Sequence, residues 1–162
     1  MRIIKPSFEI WDQQEGLEGI YKQIERAGRV CYKSEDKITE TSAKEFVERM
    51  IKSGHGAMLE HGTVYLSIPY EESWDDDFED DWVLNIYGNN PFTYVNGDGG
   101  TYYITTNYRV LVENDLLNDL KYLCEPTEYH EKRVTIHFVC DRGVSHEFVR
   151  HRVFSFAQES TR

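Results

Sequence analysis

The residues with the most chemistry to offer close the sequence: Arg150-His151-Arg152-Val153-Phe154-Ser155-Phe156-Ala157-Gln158-Glu159-Ser160-Thr161-Arg162. They gather three arginines, a histidine and two serines into thirteen positions, on a chain of net charge -11. From Arg142 to Arg162 there are four arginines against two glutamates, Glu147 and Glu159, with His146 and His151 in addition. Guanidinium forks match phosphate and carboxylate oxygens in pairs, so a basic cluster on an acidic protein suits a small, multiply charged anion. The acidic remainder would repel a long polyanion, which favours a nucleotide over DNA or RNA. An arginine-rich end is also what a solvated helix surface looks like, and composition alone favours that reading.

Spacing adds to composition. Over residues 143–156 the apolar positions Val144, Phe148, Val149, Val153, Phe154 and Phe156 predict a helix that gives way to extended chain near Phe154. On such a helix His146 shares a face with Arg150, and Glu147 with His151. Arg150 and Arg152 then point in different directions, one toward a ligand and the other toward a second ligand or a neighbouring subunit. Beyond Phe154, hydroxyl and amide groups offer donors to phosphate or pyrimidine edges.

Arg150, His151 and Arg152, followed by seven residues and Ser160, resemble the signature of the flavin-dependent thymidylate synthases, the ThyX or Thy1 family. The flanks Ser145-His146-Glu147-Phe148-Val149 and Gln158-Glu159-Ser160-Thr161-Arg162 agree with it. A second match, Gly54-His55-Gly56-Ala57-Met58-Leu59-Glu60-His61, is similar to that family's His-x4-Glu-His segment. A third and weaker one is Arg29-Val30-Cys31-Tyr32. In order along the chain, the three cover most of it except about residues 70–132.

The resemblance implies reductive methylation of dUMP to dTMP, with carbon from methylenetetrahydrofolate and hydride from FAD that NADPH has reduced. It places His55, Ala57, Glu60, Arg150, His151, Arg152 and Val153 at flavin-contacting positions, and Glu147, Gln158, Ser160 and Arg162 at nucleotide-contacting ones. No catalytic residue is assigned, because the family needs no enzyme nucleophile; Ser160, without a positioned base, is a phosphate or pyrimidine contact. The protein's own task would be orientation and charge stabilisation. The resemblance further implies a homotetramer with active sites shared between subunits. Three positions depart from the family: Glu147 where others carry Gln, Gln158 where some carry Glu, and Cys31 where serine is common. Family chains also continue beyond this motif, so this sequence is expected to be the N-terminal part of such an enzyme, a shortened relative, or one whose missing groups come from another chain. The alternative reading is a non-catalytic nucleotide- or flavin-binding remnant of the same fold.

These residues must be held by a frame. At 162 residues with 40% hydrophobic content, the chain is expected to form one globular domain across 1–162. No apolar run reaches the ~20 residues a membrane span needs, and the first residues lack a signal-peptide core, so no membrane association and a cytoplasmic location are expected. Cys31, Cys124 and Cys140 are widely spaced in no metal or redox pattern, which fits a reducing compartment. His55, Glu60 and His61 lack the spacing of a zinc helix and an evident third ligand, so no metal is expected.

The periodicities predict an edge strand within residues 2–10 and amphipathic helices over 16–30 and 41–53, followed by a loop at 55–57 and a strand over 63–68. Residues 71–81 hold eight acids in eleven positions and read as a solvated face. Residues 82–87 read as a short helix or strand. Turn signals at 89–91 and 96–100 predict a hairpin from 91–95 and 101–108. A helix from 109 or 110 to 123 and a strand over 134–140 precede the motif helix. Residues 70–132 read as an elaboration specific to one branch of the family. The fold class is α+β, with helices packed on a mostly antiparallel sheet.

Overall fold

Apolar residues at helical spacing and β-branched or aromatic runs at alternating spacing divide this chain into two kinds of element. The computed structural model describes residues 5–70, 82–151 and 154–159; the acidic run at 71–81 lies outside them, as do Arg152, Val153, Ser160 and Arg162. The element order is β1 (Ser7–Trp11), α1 (Gly16–Tyr32), α2 (Ser42–Lys52), α3 (Gly56–Leu59), β2 (Thr63–Pro69), β3 (Tyr94–Asp98), β4 (Thr101–Asn107), α4 (Tyr108–Glu113), β5 (Thr135–Val139) and α5 (Arg142–Phe148). A π-helical turn at Leu84–Gly88 and 3-10 turns at Glu35–Lys37 and Leu117–Tyr122 complete it. The architecture is α+β, with two antiparallel sheets.

The larger sheet runs β2-β4-β3. Its register sets Val64 opposite Thr106, Leu66 opposite Ile104 and Ile68 opposite Tyr102, so alternate side chains turn one face inward. β3 and β4 form the predicted hairpin, turned by Gly99 and Gly100, both at positive φ. The middle strand β4 therefore comes from within residues 70–132. Against the inward face pack Ile20 and Ile24 of α1, Phe46, Val47 and Met50 of α2, and Leu59 of α3, all buried. Each such side chain contributes about 1.5–3 kcal/mol on burial. α1 and α2 approach closely because residue 28 is glycine: a Cβ there would lie 2.4 Å from Phe46 Cζ.

A buried ion pair fastens the same two helices. Arg29 Nε and Nη2 donate to Glu25 Oε1 at 3.0 and 2.8 Å, and Ser42 Oγ on α2 donates to Glu25 Oε2 at 2.9 Å. Arg29 also lies over the Phe46 ring, 4.9 Å from its centroid. The arginine of the weakest family-like match is thus spent on helix packing.

Three expectations need correction. Residues 56–59 are a short helix, not loop. The helix expected over 109 or 110 to 123 is interrupted: α4, capped by Asn107, ends at Glu113, where Asp115 adopts φ +58 and Leu116 N–H turns back to Leu111 O at 2.8 Å. The motif helix is also shorter than expected. α5 is capped by Asp141 and ends at Phe148, leaving Arg150 and His151 in turns beyond it.

The second sheet is the two-stranded ribbon β1–β5, pairing Phe8 with Phe138 and Ile10 with Ile136. Trp11 anchors one face, with the Arg26 guanidinium 3.7 Å above its ring centroid and His137 stacked at 4.7 Å. The other face leaves Phe8 69%, Ile10 55%, Ile136 43% and Phe138 46% exposed.

Candidate functional site

The three family-like segments, far apart in sequence, meet at one surface. The end of α1 supplies Cys31, Tyr32 and Lys33; α3 and its flanks supply His55 to His61; residues 154–159 lie against both. Lys33 closes α1 from just beyond its last residue, taking the left-handed conformation at φ +51 while Ser34 N–H bonds Arg29 O at 2.9 Å. That turn leaves Lys33 Nζ 2.7 Å from Glu159. Tyr32 Oη lies 2.9 Å from His55 Nδ1, joining α1 to the α3 loop. The Gln158 backbone hydrogen-bonds the Cys31 thiol; burial pushes that thiol up, and the Gln158 contact partly offsets the rise. Gln158 Nε2 donates to Ser145 Oγ at 2.8 Å, tying the segment to α5. Gln158 is thereby a bracket between α1 and α5.

His61 is the buried member of the cluster. Burial pushes its imidazole below the ordinary histidine range, against the smaller opposing pulls of Glu60 and the Phe156 backbone. Its Nε2 has no hydrogen-bond partner among the described residues. A buried ring nitrogen without a partner is rare enough to mark a place where a polar group belongs.

Glu60 is held differently. Arg109 Nη1 on α4 donates to Glu60 Oε1 at 2.6 Å, and Arg109 Nε donates to Glu113 Oε1 at 2.7 Å. Those bonds, to Glu113 first and Glu60 second, hold the guanidinium above its already high range. Ala57 and His55 are exposed beside them. Arg109 escaped the sequence reading. Its pairing with Glu113 is visible as an i,i+4 spacing, whereas its partner Glu60 is 49 residues away and leaves no local signal.

The α5 side is more open. Arg150 pairs with Glu147 at 3.2 Å, both largely exposed. Because α5 ends early, His146 meets Arg142, whose Nε donates to its Nε2 at 3.2 Å, in place of Arg150. Among the described residues, no hydrogen bond or ion pair joins Arg150 or His151 to the His55 loop. The structure thus brings together His55, Ala57, Glu60 and Gln158, and leaves Glu147, Arg150 and His151 on the neighbouring surface.

Other chemistries can be tested. Cys124 Sγ lies 3.8 Å from His130 Nε2, a spacing that suggests a thiol–imidazole nucleophile. Yet His130 Nδ1 accepts from Thr127 N–H at 3.0 Å, so Nε2 carries the proton and bonds Leu66 O at 3.1 Å. The thiol therefore faces an N–H instead of a base, and burial pushes it upward as well. No group of three or more His, Cys, Asp or Glu among the described residues could hold a metal ion. A cavity of about 230 Å³ lined by Gln13, Tyr65, Cys124 and Arg133 shares no residue with the three family-like segments. No helix among the described residues is long and apolar enough to cross a membrane.

No family model and no solved structure matches the chain. A stretch of 60 residues is 37% identical to the flavin-dependent thymidylate synthase of Corynebacterium aurimucosum, covering 36% of this chain and 24% of that enzyme. Part of the chain is thus similar to an enzyme of that name, and the match spans about a quarter of that enzyme's length.

Proposed function

We propose that this chain is a flavin-dependent thymidylate synthase, or the N-terminal part of one, methylating dUMP to dTMP with methylenetetrahydrofolate and NADPH. The observation that carries the reading is the meeting of three family-like segments at one surface, through Tyr32–His55, Cys31–Gln158 and Lys33–Glu159. The partial identity to a flavin-dependent thymidylate synthase supports it from outside the fold.

The donor set fits FAD chemically. Arg150, largely exposed beside Glu147, offers a cationic donor to a pyrophosphate, and His61 Nε2, without a partner among the described residues, offers a buried polar contact. His55, Ala57, Glu60, Arg150, His151, Arg152 and Val153 would hold the flavin, which when bound supplies the hydride. Glu147, Gln158, Ser160 and Arg162 would hold the nucleotide. Glu147 accepts from Arg150, which offsets the repulsion a lone carboxylate would exert on an anionic substrate. Such a chain would work in the cytoplasm, as one domain, and as a homotetramer; the exposed apolar face of β1–β5 supports self-association.

The test is the visible spectrum of the purified protein with FAD while dUMP is titrated, followed by an assay for dTMP with NADPH and folate present. A flavin spectrum that shifts with dUMP, followed by turnover, is expected. Flavin and dUMP binding without turnover would instead establish the non-catalytic remnant. A folded protein that binds neither would overturn both readings.

A further inference from the structure

We infer that Arg109 is a positioning residue for Glu60, so that α4 forms part of the machinery that presents the α3 loop to its ligand. The ligand-bearing part of this inference rests on the flavin reading above.

The geometry is that of a latch. Arg109 uses two different nitrogens for two carboxylates, Nη1 for Glu60 at 2.6 Å and Nε for Glu113 at 2.7 Å. Glu113 lies one turn further along α4 and fixes the guanidinium plane relative to its own helix. Glu60 follows directly on α3, so the second bond fixes α3 relative to α4. The side chains of Arg109 and Glu60 are 38% and 20% exposed, sheltered enough for a charged hydrogen bond to count and open enough to sit at a ligand surface.

Residue 56 supports the same view independently. A Cβ at Gly56 would lie 2.9 Å from Arg109 Nε and 3.3 Å from its Cζ. Gly56 does not need positive φ, as it begins α3. A glycine at this position leaves the guanidinium and the Glu113 carboxylate the room they occupy. Three features of two distant segments — a glycine, a glutamate and an arginine–glutamate pair — are thus fitted to one another. A free glutamate one residue from His61 would sample several rotamers; the latch leaves it one, and lowers the ordering cost of binding.

The experiment is a double-mutant cycle on Arg109→Gln and Glu60→Gln, read by FAD affinity from pH 5.5 to 8 and by amide exchange over residues 56–62 without flavin. If Arg109 acts through Glu60, Arg109→Gln weakens FAD at least tenfold alone, and less than twofold on the Glu60→Gln background. Arg109→Lys restores part of the loss, and Gly56→Ala reproduces it without changing charge. Exchange over 56–62 rises at least tenfold in either single variant, with no further rise in the double. Additive effects, or Arg109→Gln behaving as wild type while folded by circular dichroism, would overturn the inference. If the wild type binds no flavin, the function reading fails alone, and the ligand-free exchange cycle still decides whether Arg109 acts through Glu60.

Discussion

Tyr32, the last residue of α1, meets His55, the residue that leads into α3, through a hydroxyl-to-Nδ1 contact of 2.9 Å with their rings stacked at 6.3 Å between centroids. Burial, and then the neighbouring Cys31, push the phenol above its ordinary range, with Arg49 opposing them. The same hydroxyl lies 4.0 Å from Met50 Sδ, so Tyr32 ties the α3 loop to α2 as well as to α1. A histidine expected to contact flavin is so presented in one ring orientation.

Tyr32→Phe removes only that hydroxyl. Tyr32 is 45% exposed, so the stability loss should not exceed about 0.5–1.5 kcal/mol. Flavin affinity should fall further, by roughly three- to tenfold, because His55 loses its fixed orientation. Urea unfolding and a flavin fluorescence titration on the same sample separate the two. Equal and small changes in both would mean that Tyr32 is only a surface contact.

Arg29→Ala should be among the most damaging single changes. It would strand the Glu25 carboxylate, 1% exposed, with Ser42 as its remaining donor. Breaking a buried pair from one side costs about 3–5 kcal/mol. The exposed Lys22–Glu18 pair on the same helix is the control, where Glu18→Ala should cost under ~0.5 kcal/mol. Denaturant midpoints for both variants decide it, and comparable losses would contradict the burial argument.

How much of this was legible beforehand depends on the range of the signal. α1, α2, β2 and the β3–β4 hairpin follow from local periodicity and turn chemistry, since burying Ile20 and Ile24 or Val64 and Leu66 needs only one face to be apolar. The break in α4 was missed although Asn114 and Asp115 are the residue types that adopt positive φ at least cost. The early end of α5 was missed for a different reason. Val149 and Phe154 continue a helical pattern, yet both are exposed, so no core contact extends the helix to them. For the candidate site, the family resemblance singled out His55, Glu60 and Gln158 as candidates, whereas the contacts of Arg109, Tyr32 and Lys33 are with partners 49, 23 and 126 residues away. Pairings of that range are set by the packing of helices, which short-range patterns do not encode.

Stability should decline on mild acidification through two histidines. Burial lowers both His61 and His130 below the ordinary value of about 6.5. The unfolded chain then binds protons more readily than the folded one, so stability is full above about pH 6.5 and is lost as pH falls below it. For His130 the cause is concrete: protonating Nδ1 abolishes its acceptance of the Thr127 N–H. Urea midpoints at pH 7.5 and 5.5 should differ, and the His61→Gln, His130→Gln double variant should narrow the difference. An unchanged slope in that variant would assign the acid sensitivity to other groups.

The ribbon face offers the last test. Phe8 with Phe138 and Ile10 with Ile136 form cross-strand pairs whose side chains face solvent, and Phe148 of α5 stacks on Phe138 at 5.2 Å to widen the patch. Contiguous aromatic surface of this kind is costly to leave in water, at about 25 cal/mol per Å². A second copy of the chain is the occupant that the proposed homotetramer supplies. Sedimentation velocity should therefore find the wild type associated and Phe138→Asp dissociated. Circular dichroism should stay unchanged, since Phe138 is 46% exposed and its removal empties no core. If subunits share the active site, flavin affinity should fall with the dissociation and recover as protein concentration rises. A wild type that sediments as a monomer at every concentration would refute the shared-site proposal and leave the apolar face without a partner of its own kind.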